Sequence, residues 1–462
     1  MTYQEFLRTK GRSIQEWGFE STETNPLLFD WQTDVVKWAL RKGRAAIFSN
    51  CGSGKTAMHL QWAHEVNKHT GKPILVLTPL AVAQQTKREG DKFGIPVTVC
   101  RKQSDCTEGI NVVNYEMVEH FESGDFWGGL VLDESSILKH KDSKTRNLLQ
   151  AKFKETPFKL CCTATPSPND YMELGTHAEF LGVMKQTEML SMFFVHDGGE
   201  TQKWRLKGHA EKKFFEWVSR WSACFRDPKD IGYSGEGYWL PELRVHDVVV
   251  HSEKTMLANG QFMMFAPTGE TLLERRSARR NSLQQRVAKA AEIANGTDEQ
   301  VLVWCDLNSE SKALTKAING AVEVEGSMPL EEKEAGIVGF LTGKHRVLVS
   351  KPSIAGFGIN AQNTHIEIFV GLSDSFEQYY QAVRRCWRFG QEHDVDVYII
   401  TSDAEGAVKK NIERKQTEAE RMTNELVGYT RDYLRNDLRH TKRDTTEYKP
   451  KERMKVPSWL TA

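Results

Sequence analysis

Residues 50–56 read NCGSGKT. Gly52 and Gly54 lack the Cβ atoms that would hold a backbone away from an anion, with Ser53 between them, so their N–H groups can approach phosphate oxygens. Lys55 adds a positive charge aimed at a polyphosphate, and Thr56 adds a hydroxyl suited to Mg²⁺. Residues 132–136 read LDESS. Asp133 there suits a Mg²⁺ partner, and Glu134 beside it suits polarisation of an attacking water. Far along the chain, residues 381–391 read QAVRRCWRFGQ. Arg385 and Arg388 are three apart, on one face of a helical turn, where guanidinium groups can meet phosphoryl charge as it builds in a transition state. Such a separation places the cradle and the arginines in different domains, with a nucleotide held between them.

Smaller sets fit around these. TATP (163–166) ends an apolar run, and its hydroxyls could link the Asp133–Glu134 pair to movement of a second domain. FDWQ (29–32) precedes the cradle; the Gln32 amide can pair with an adenine edge while a neighbouring aromatic stacks on the base. GFGIN (356–360) carries Gly358, which permits close approach to phosphate or sugar. One departure is visible: Ser49 stands where the general phosphate-loop pattern has its first glycine.

The elements that position these groups follow from apolar patterning. RAAIF (44–48), ILVLT (74–78), NVV (111–113), GLVLD (129–133) and FKLCCT (158–163) are short and rich in Val, Ile and Leu, as strands of a parallel sheet covered on both faces are. The cradle follows one such strand and opens a helix from Thr56, closed by Gly71 and Pro73. A second series begins near residue 300: VLVWC (301–305), AVEVE (321–325), RVLVS (346–350), HIEIFV (365–370) and VDVYII (395–400). The fold class expected is α/β, two tandem doubly wound lobes. Residues 1–250 form the first, with an insertion or linker at about 170–245 in which Trp204, Trp217, Trp221 and Trp239 cluster. Residues 251–405 form the second, and 406–462 a charged helix and polar tail. The tryptophans suit core packing better than base stacking. Residues 271–289 read as a basic helix; Arg275, Arg276, Arg279, Arg280 and Arg286 either line a nucleic-acid path or form a solvated face.

Bulk composition narrows the class further. Lysine plus arginine and aspartate plus glutamate number 62 each, so any basic groove is local. No apolar run is long enough to span a membrane, and the N-terminus lacks the apolar stretch of a signal peptide. A cytoplasmic setting is expected, in a bacterial or phage-infected cell. Eight cysteines without a Cys-x-x-Cys pair read as reduced thiols.

Taken in order, these sets resemble a superfamily-two helicase. LFDWQ is similar to the Q motif, NCGSGKT to motif I, VLTPLAV (76–82) to motif Ia, DESS to motif II and TATP to motif III. VLVWCDLNSES (301–311) is similar to motif IV, SKPSIAGFGIN (350–360) to motif V and QAVRRCWRFGQ to motif VI. The last pattern, with GFGIN and YWLPELRVHDVVV (238–250), resembles the Swi/Snf branch, its compact phage- or prophage-encoded members above all. The resemblance implies RecA-like lobes, ATP and Mg²⁺ in the cleft, and ATP-driven translocation along mainly double-stranded DNA. It assigns Gln32 to adenine, Lys55 and Thr56 to phosphate and Mg²⁺, Asp133 and Glu134 to metal and water, and Arg385 and Arg388 to lobe two, with Arg388 the finger. Thr78 and Pro79 would touch the DNA backbone. Motif II here ends in Ser136 rather than the histidine usual in the branch.

Two other readings stay open. One is a strand-separating DNA or RNA helicase. The other is a nucleotide-gated module that recruits a nuclease or a replication or recombination protein. A monomer is the expected state, because both halves of the site lie in one chain.

Overall fold

Runs such as RAAIFS and GLVLD are too short for a buried helix and apolar on both faces, so each forms a strand covered from two sides. The computed structural model describes residues 17–22, 25–79, 82–139, 143–167, 170–196, 204–236, 238–251, 282–356, 359–373, 375–402 and 406–439. Nine of its strands come from the first half of the chain: β1 (Arg44–Ser49), β2 (Ile74–Thr78), β3 (Val97–Val99), β4 (Ile110–Asn114), β5 (Gly129–Asp133), β6 (Phe158–Thr163), β7 (Phe194–His196), β8 (Trp204–Leu206) and β9 (Ser222–Phe225). All but β7 and β8 form one sheet in the order β3-β4-β2-β5-β6-β1-β9, and every pairing in it is parallel. β7 and β8 pair antiparallel as a separate hairpin.

The second sheet is built from β10 (Leu243–Val250), β11 (Val301–Trp304), β12 (Ala321–Val324), β13 (Val347–Ser350), β14 (Ile366–Val370) and β15 (Val395–Ser402). Its order is β10-β15-β14-β11-β13-β12, again wholly parallel. Alternate residues of each strand feed separate layers. Phe48, Leu77, Leu132 and Cys161 lie in one core of the first lobe, and Ile47, Val76, Val131 and Cys162 in the other. Trp304, Leu348 and Phe369 against Val303, Val349 and Ile368 repeat the division in the second lobe.

Several expected boundaries change. β10 lies inside the stretch assigned to the first lobe, yet it hydrogen-bonds along β15 from Leu243 to Val250 and is an edge of the second sheet. The lobe boundary therefore falls between β9 and β10. β9, inside the expected insertion, is the seventh strand of the first sheet. Trp217 and Trp221 are buried in the first lobe's core and Trp204 packs on it, whereas Trp239 is 57% exposed.

Arg286 belongs to neither a nucleic-acid path nor a solvated face. It sits on the helix Leu283–Asn295 with no exposed surface. Its guanidinium lies 2.8 Å from the equally buried Glu310 and donates to the Val370 carbonyl. A buried arginine of this kind needs its charge matched within the core, and Glu310 does so. Arg275, Arg276, Arg279 and Arg280 lie outside the described residues, as do Gly358 and the tail 440–462.

The charged helix is not a separate segment. It runs from Gly406 to Leu438, about 50 Å at 1.5 Å per residue. Val408 and Ile412 enter the second lobe's core. Leu426 and Val427 enter one layer of the first lobe, and Leu434 and Leu438 the other. Tyr171 donates to Glu425 at 2.6 Å, and Tyr429 stacks on Phe215 at 4.6 Å. One helix thus ties both lobes together. Among the described residues no helix is long and apolar enough to cross a membrane.

Candidate active site

β5, β6 and β1 are neighbours in the first sheet, so the segments following them meet at one edge. Ligand sites of open α/β sheets lie at such carboxyl ends. After β1 the chain turns through residues 50–54 and enters the helix Lys55–Thr70, whose N-cap is Gly54 in the left-handed conformation, φ 77°. A side chain there would meet the Gln32 amide nitrogen at 2.3 Å. A Cβ on Gly52, φ 85°, would come within 2.9 Å of the Phe389 backbone. Both glycines are required by shape.

The loop is held from within. Ser49, which replaces the usual first glycine, is buried, and its hydroxyl lies 2.7 Å from that of Ser53. The departure from the general pattern is therefore a staple from the loop's base to its tip. Lys55 Nζ donates to the Ser49 and Asn50 carbonyls at 2.8 and 2.9 Å. Gln32 donates to the Ser53 carbonyl and accepts from the Phe29 N–H, each at 3.0 Å. Its amide thus braces the phosphate loop through one N–H and one lone pair, and keeps a second N–H and a second lone pair for an adenine edge. Phe29 packs edge-on against Phe389, which stacks on Tyr238 at 5.1 Å.

β5 ends at Asp133. The next residue, Glu134, has φ 56°, the one positive value among the described non-glycine residues. Thr163, at the end of β6, reaches Glu134 Oε2 at 3.4 Å. Thr165 donates to Glu377 of lobe two at 3.2 Å, and Lys139 also pairs with Glu377. The TATP hydroxyls therefore touch both the Glu134 carboxylate and the second lobe, the link expected of them. Glu377 opens the helix Phe376–Val383, ahead of Gln381 and Arg385; nothing in its local sequence marks it.

That helix leads into the arginines. Arg385 is buried, donates to the Gln381 carbonyl at 2.7 Å and approaches Cys51 Sγ at 3.8 Å. Tyr380 donates to the Asn50 side chain at 3.3 Å. A cavity of about 80 Å³ between the lobes is lined by Gly52, Gly54, Lys55, Thr56, Asp133, Glu134, Arg385 and Arg388, with Glu89 on its rim. The structure thus brings the core of the expected site to one place.

Thr78 is not at a surface. It is the last residue of β2, between β4 and β5, with no exposure, and its hydroxyl has no hydrogen-bond partner. It cannot touch a DNA backbone in this arrangement. Pro79 beside it is half-buried.

Family comparisons agree with this geometry. Residues 54–194 match the SNF2-related domain, and residues 282–390 the helicase conserved C-terminal domain. The chain belongs to the Swi/Snf-like branch of superfamily two. This Swi/Snf-like protein is a nucleic-acid-dependent ATPase with two RecA-like lobes. A solved structure, the Sulfolobus solfataricus SWI2/SNF2 ATPase core in complex with dsDNA, is 16% identical, with 85% of this chain and 90% of that one covered at a TM-score of 0.40. Among curated proteins none matches.

Electrostatics set the state of the Swi/Snf-like site. Burial pushes the Asp133 carboxyl up to about 6, against the pull of Lys55 and Arg385. Glu134 is raised by burial and by Asp133 and Glu377, with Lys55 and Arg385 opposing. His59, fully buried, lies 4.0 Å from Asp133, and burial and Lys55 push it down to about 3, so it faces the carboxylate as a neutral ring. Two acids held in a low-dielectric cleft beside the Thr56 hydroxyl fit a divalent cation, which would relieve their desolvation.

A stability prediction follows from Asp133. Its carboxyl titrates near 6 in the folded chain against an ordinary 3.8. Between those values the unfolded chain holds fewer protons, so stability falls as pH rises through the window and stays lowered above it. Asp133→Asn carries no charge at any pH. It should be more stable than the parent above pH about 6, by about 1–3 kcal/mol, and the gain should vanish near pH 4. Denaturant melts of the nucleotide-free protein across this range, with equal midpoints at pH 8, would show that Lys55 and Arg385 already offset the burial.

Proposed function

We propose that this ATPase is a translocase on double-stranded DNA, driven by ATP hydrolysis in the interlobe cleft. The observation that carries the reading is the cleft itself: Arg385 and Arg388 of lobe two stand over the phosphate loop and the carboxylates of lobe one. Family membership supports duplex DNA as the track. Lys55 leaves the Ser49 and Asn50 carbonyls for the β- and γ-phosphates, and the N–H groups at Gly54 and the helix start cradle the same oxygens. Gln32 reads adenine with its remaining N–H and lone pair while it still braces the loop. Thr56 and Asp133 hold Mg²⁺, which when bound spreads the phosphate charge. Glu134 accepts a proton from the attacking water. Glu134, Thr163, Thr165 and Glu377 form the path by which hydrolysis changes lobe contact, and the helix Gly406–Leu438 keeps the lobes in register as they step. Pro79 and the arginines at 279 and 280 are the proposed backbone contacts, and phosphate contacts of that kind make affinity fall steeply with salt.

The test is ATP hydrolysis without nucleic acid and with single-stranded DNA, blunt duplex DNA or RNA, beside Lys55→Ala and a triplex-displacement assay. Stimulation by blunt duplex, with the triplex strand displaced, is the expected result. Stimulation only by single strands or RNA, with forked duplexes unwound, would make it a strand-separating helicase. No stimulation would make it a nucleotide-gated recruitment module.

A further inference from the structure

Glu134 sits in the left-handed region, where a side chain strains the backbone and persists only if its surroundings impose it. Two buried side chains grip the chain on either side of it. Tyr115, which opens the short helix Tyr115–His120 after β4, donates its hydroxyl to the Asp133 carbonyl at 2.8 Å. That carbonyl belongs to the peptide unit whose orientation defines φ of Glu134. On the other side, His177 of the helix Leu174–Leu181 lies 3.1 Å from the Ser135 hydroxyl.

The histidine's role can be read from its second contact. His177 Nδ1 faces the Glu173 carbonyl at 3.4 Å. With the proton on Nδ1, the ring donates to the Glu173 carbonyl and accepts from the Ser135 hydroxyl at Nε2, so one neutral tautomer satisfies both contacts. Burial pushes the ring down to about 4, which keeps it in this neutral form. Phe48 holds the ring edge-on at 5.2 Å. Neither Tyr115 nor His177 lines the cleft cavity.

We propose that Tyr115 and His177 are positioning residues that clamp the backbone on both sides of Glu134, holding its carboxylate at the cleft for water activation. The clamp acts on the ATPase chemistry alone and does not depend on translocation. Its signature is a loss in kcat without a loss in nucleotide binding, because Lys55 and the loop are untouched.

The experiment compares Tyr115→Phe, His177→Phe, His177→Gln, Ser135→Ala and the Ser135→Ala/His177→Phe pair. Each is measured for kcat, KM for ATP, MgADP affinity and thermal midpoint. Tyr115→Phe, which removes one hydroxyl and no volume, should lower kcat about tenfold, with KM and MgADP affinity within twofold of the parent. His177→Phe should do the same. His177→Gln, whose amide oxygen can take the place of Nε2, should recover most of the rate. Ser135→Ala should match His177→Phe, and the pair should be no slower than either. Unchanged kcat in Tyr115→Phe, a parallel rise in KM, or losses that multiply in the pair would overturn the clamp and leave these as ordinary buried polar contacts.

Discussion

Glu134→Gln should lower kcat by about 10³-fold or more while leaving MgATP affinity within a few-fold of the parent. The amide keeps the volume and the contact from Thr163 Oγ1 to the side-chain oxygen, so the cleft and the link through TATP survive. What it loses is the capacity to take a proton from water, and general-base contributions are typically 10²–10⁴-fold. Here the effect belongs at the upper end. Burial, Asp133 and Glu377 all raise the Glu134 carboxyl above its ordinary range, which makes it a stronger base than a surface glutamate once Lys55 and Arg385 hold it ionised. Its backbone is already fixed at φ 56°, so water need not wait for the residue to reorganise. The measurement is steady-state hydrolysis beside equilibrium binding of a fluorescent ATP analogue. A loss of binding in step with turnover would mean that Glu134 chiefly holds the cleft together.

The same variant separates the two carboxylates. Removing the Asp133 charge should weaken the metal-dependent part of binding and steady the empty protein, whereas removing the Glu134 charge should spare binding. That contrast rests on position: Asp133 is the last residue of β5 and faces His59 and Lys55, whereas Glu134 turns toward Thr163 and the second lobe.

Sequence patterning carried as far as contiguous information goes. The phosphate loop, the acidic pair and the paired arginines are local strings, and the strands before them are uninterrupted apolar runs, so their identity and order were readable. β3, β9 and β10 were not. β3 is three residues long. β9, SACF, lies in a tryptophan-rich stretch that suggests an insertion. β10 is a sheet edge with Val245 and Val249 exposed, and its place in the second lobe depends on a pairing with β15 about 150 residues away. In the site, what stayed hidden was what neighbouring elements contribute. Thr78 reads as an accessible strand end until β4 and β5 are known to flank β2. Arg286 reads as part of a basic stripe until Glu310 and Val370 are seen to close around it. Glu377, Tyr115 and His177 bear on the catalytic pair only through strand order and helix packing, which no local spacing encodes.

Arg388→Ala should lower the chemical step about 10³-fold, the lower end of what arginine fingers contribute in phosphoryl transfer, with little change in the affinity of the free protein for nucleotide. The two arginines of the run are not equivalent. Arg385 is committed within the protein: its guanidinium bonds the Gln381 carbonyl and approaches Cys51, so replacing it loosens the helix and the lobe contact as well as removing charge. Arg388 has an Nε without a hydrogen-bond partner, and its Cβ would stand 3.1 Å from a Cβ on Gly52. Burial and the neighbouring Arg385 hold its pKa below the ordinary arginine value, so the cation is destabilised until anionic charge arrives beside it. A cation poorly matched in the resting cleft gains most when phosphoryl charge develops, which is the differential binding that lowers a barrier. Arg388→Lys should recover little, because an ammonium cannot reproduce the planar fork that meets two oxygens at once. Single-turnover hydrolysis at saturating duplex DNA isolates this step from lobe opening. There Arg388→Ala should be slow and Arg385→Ala slow with weakened nucleic-acid stimulation. Equal single-turnover rates for Arg388→Ala and the parent would transfer the finger to Arg385.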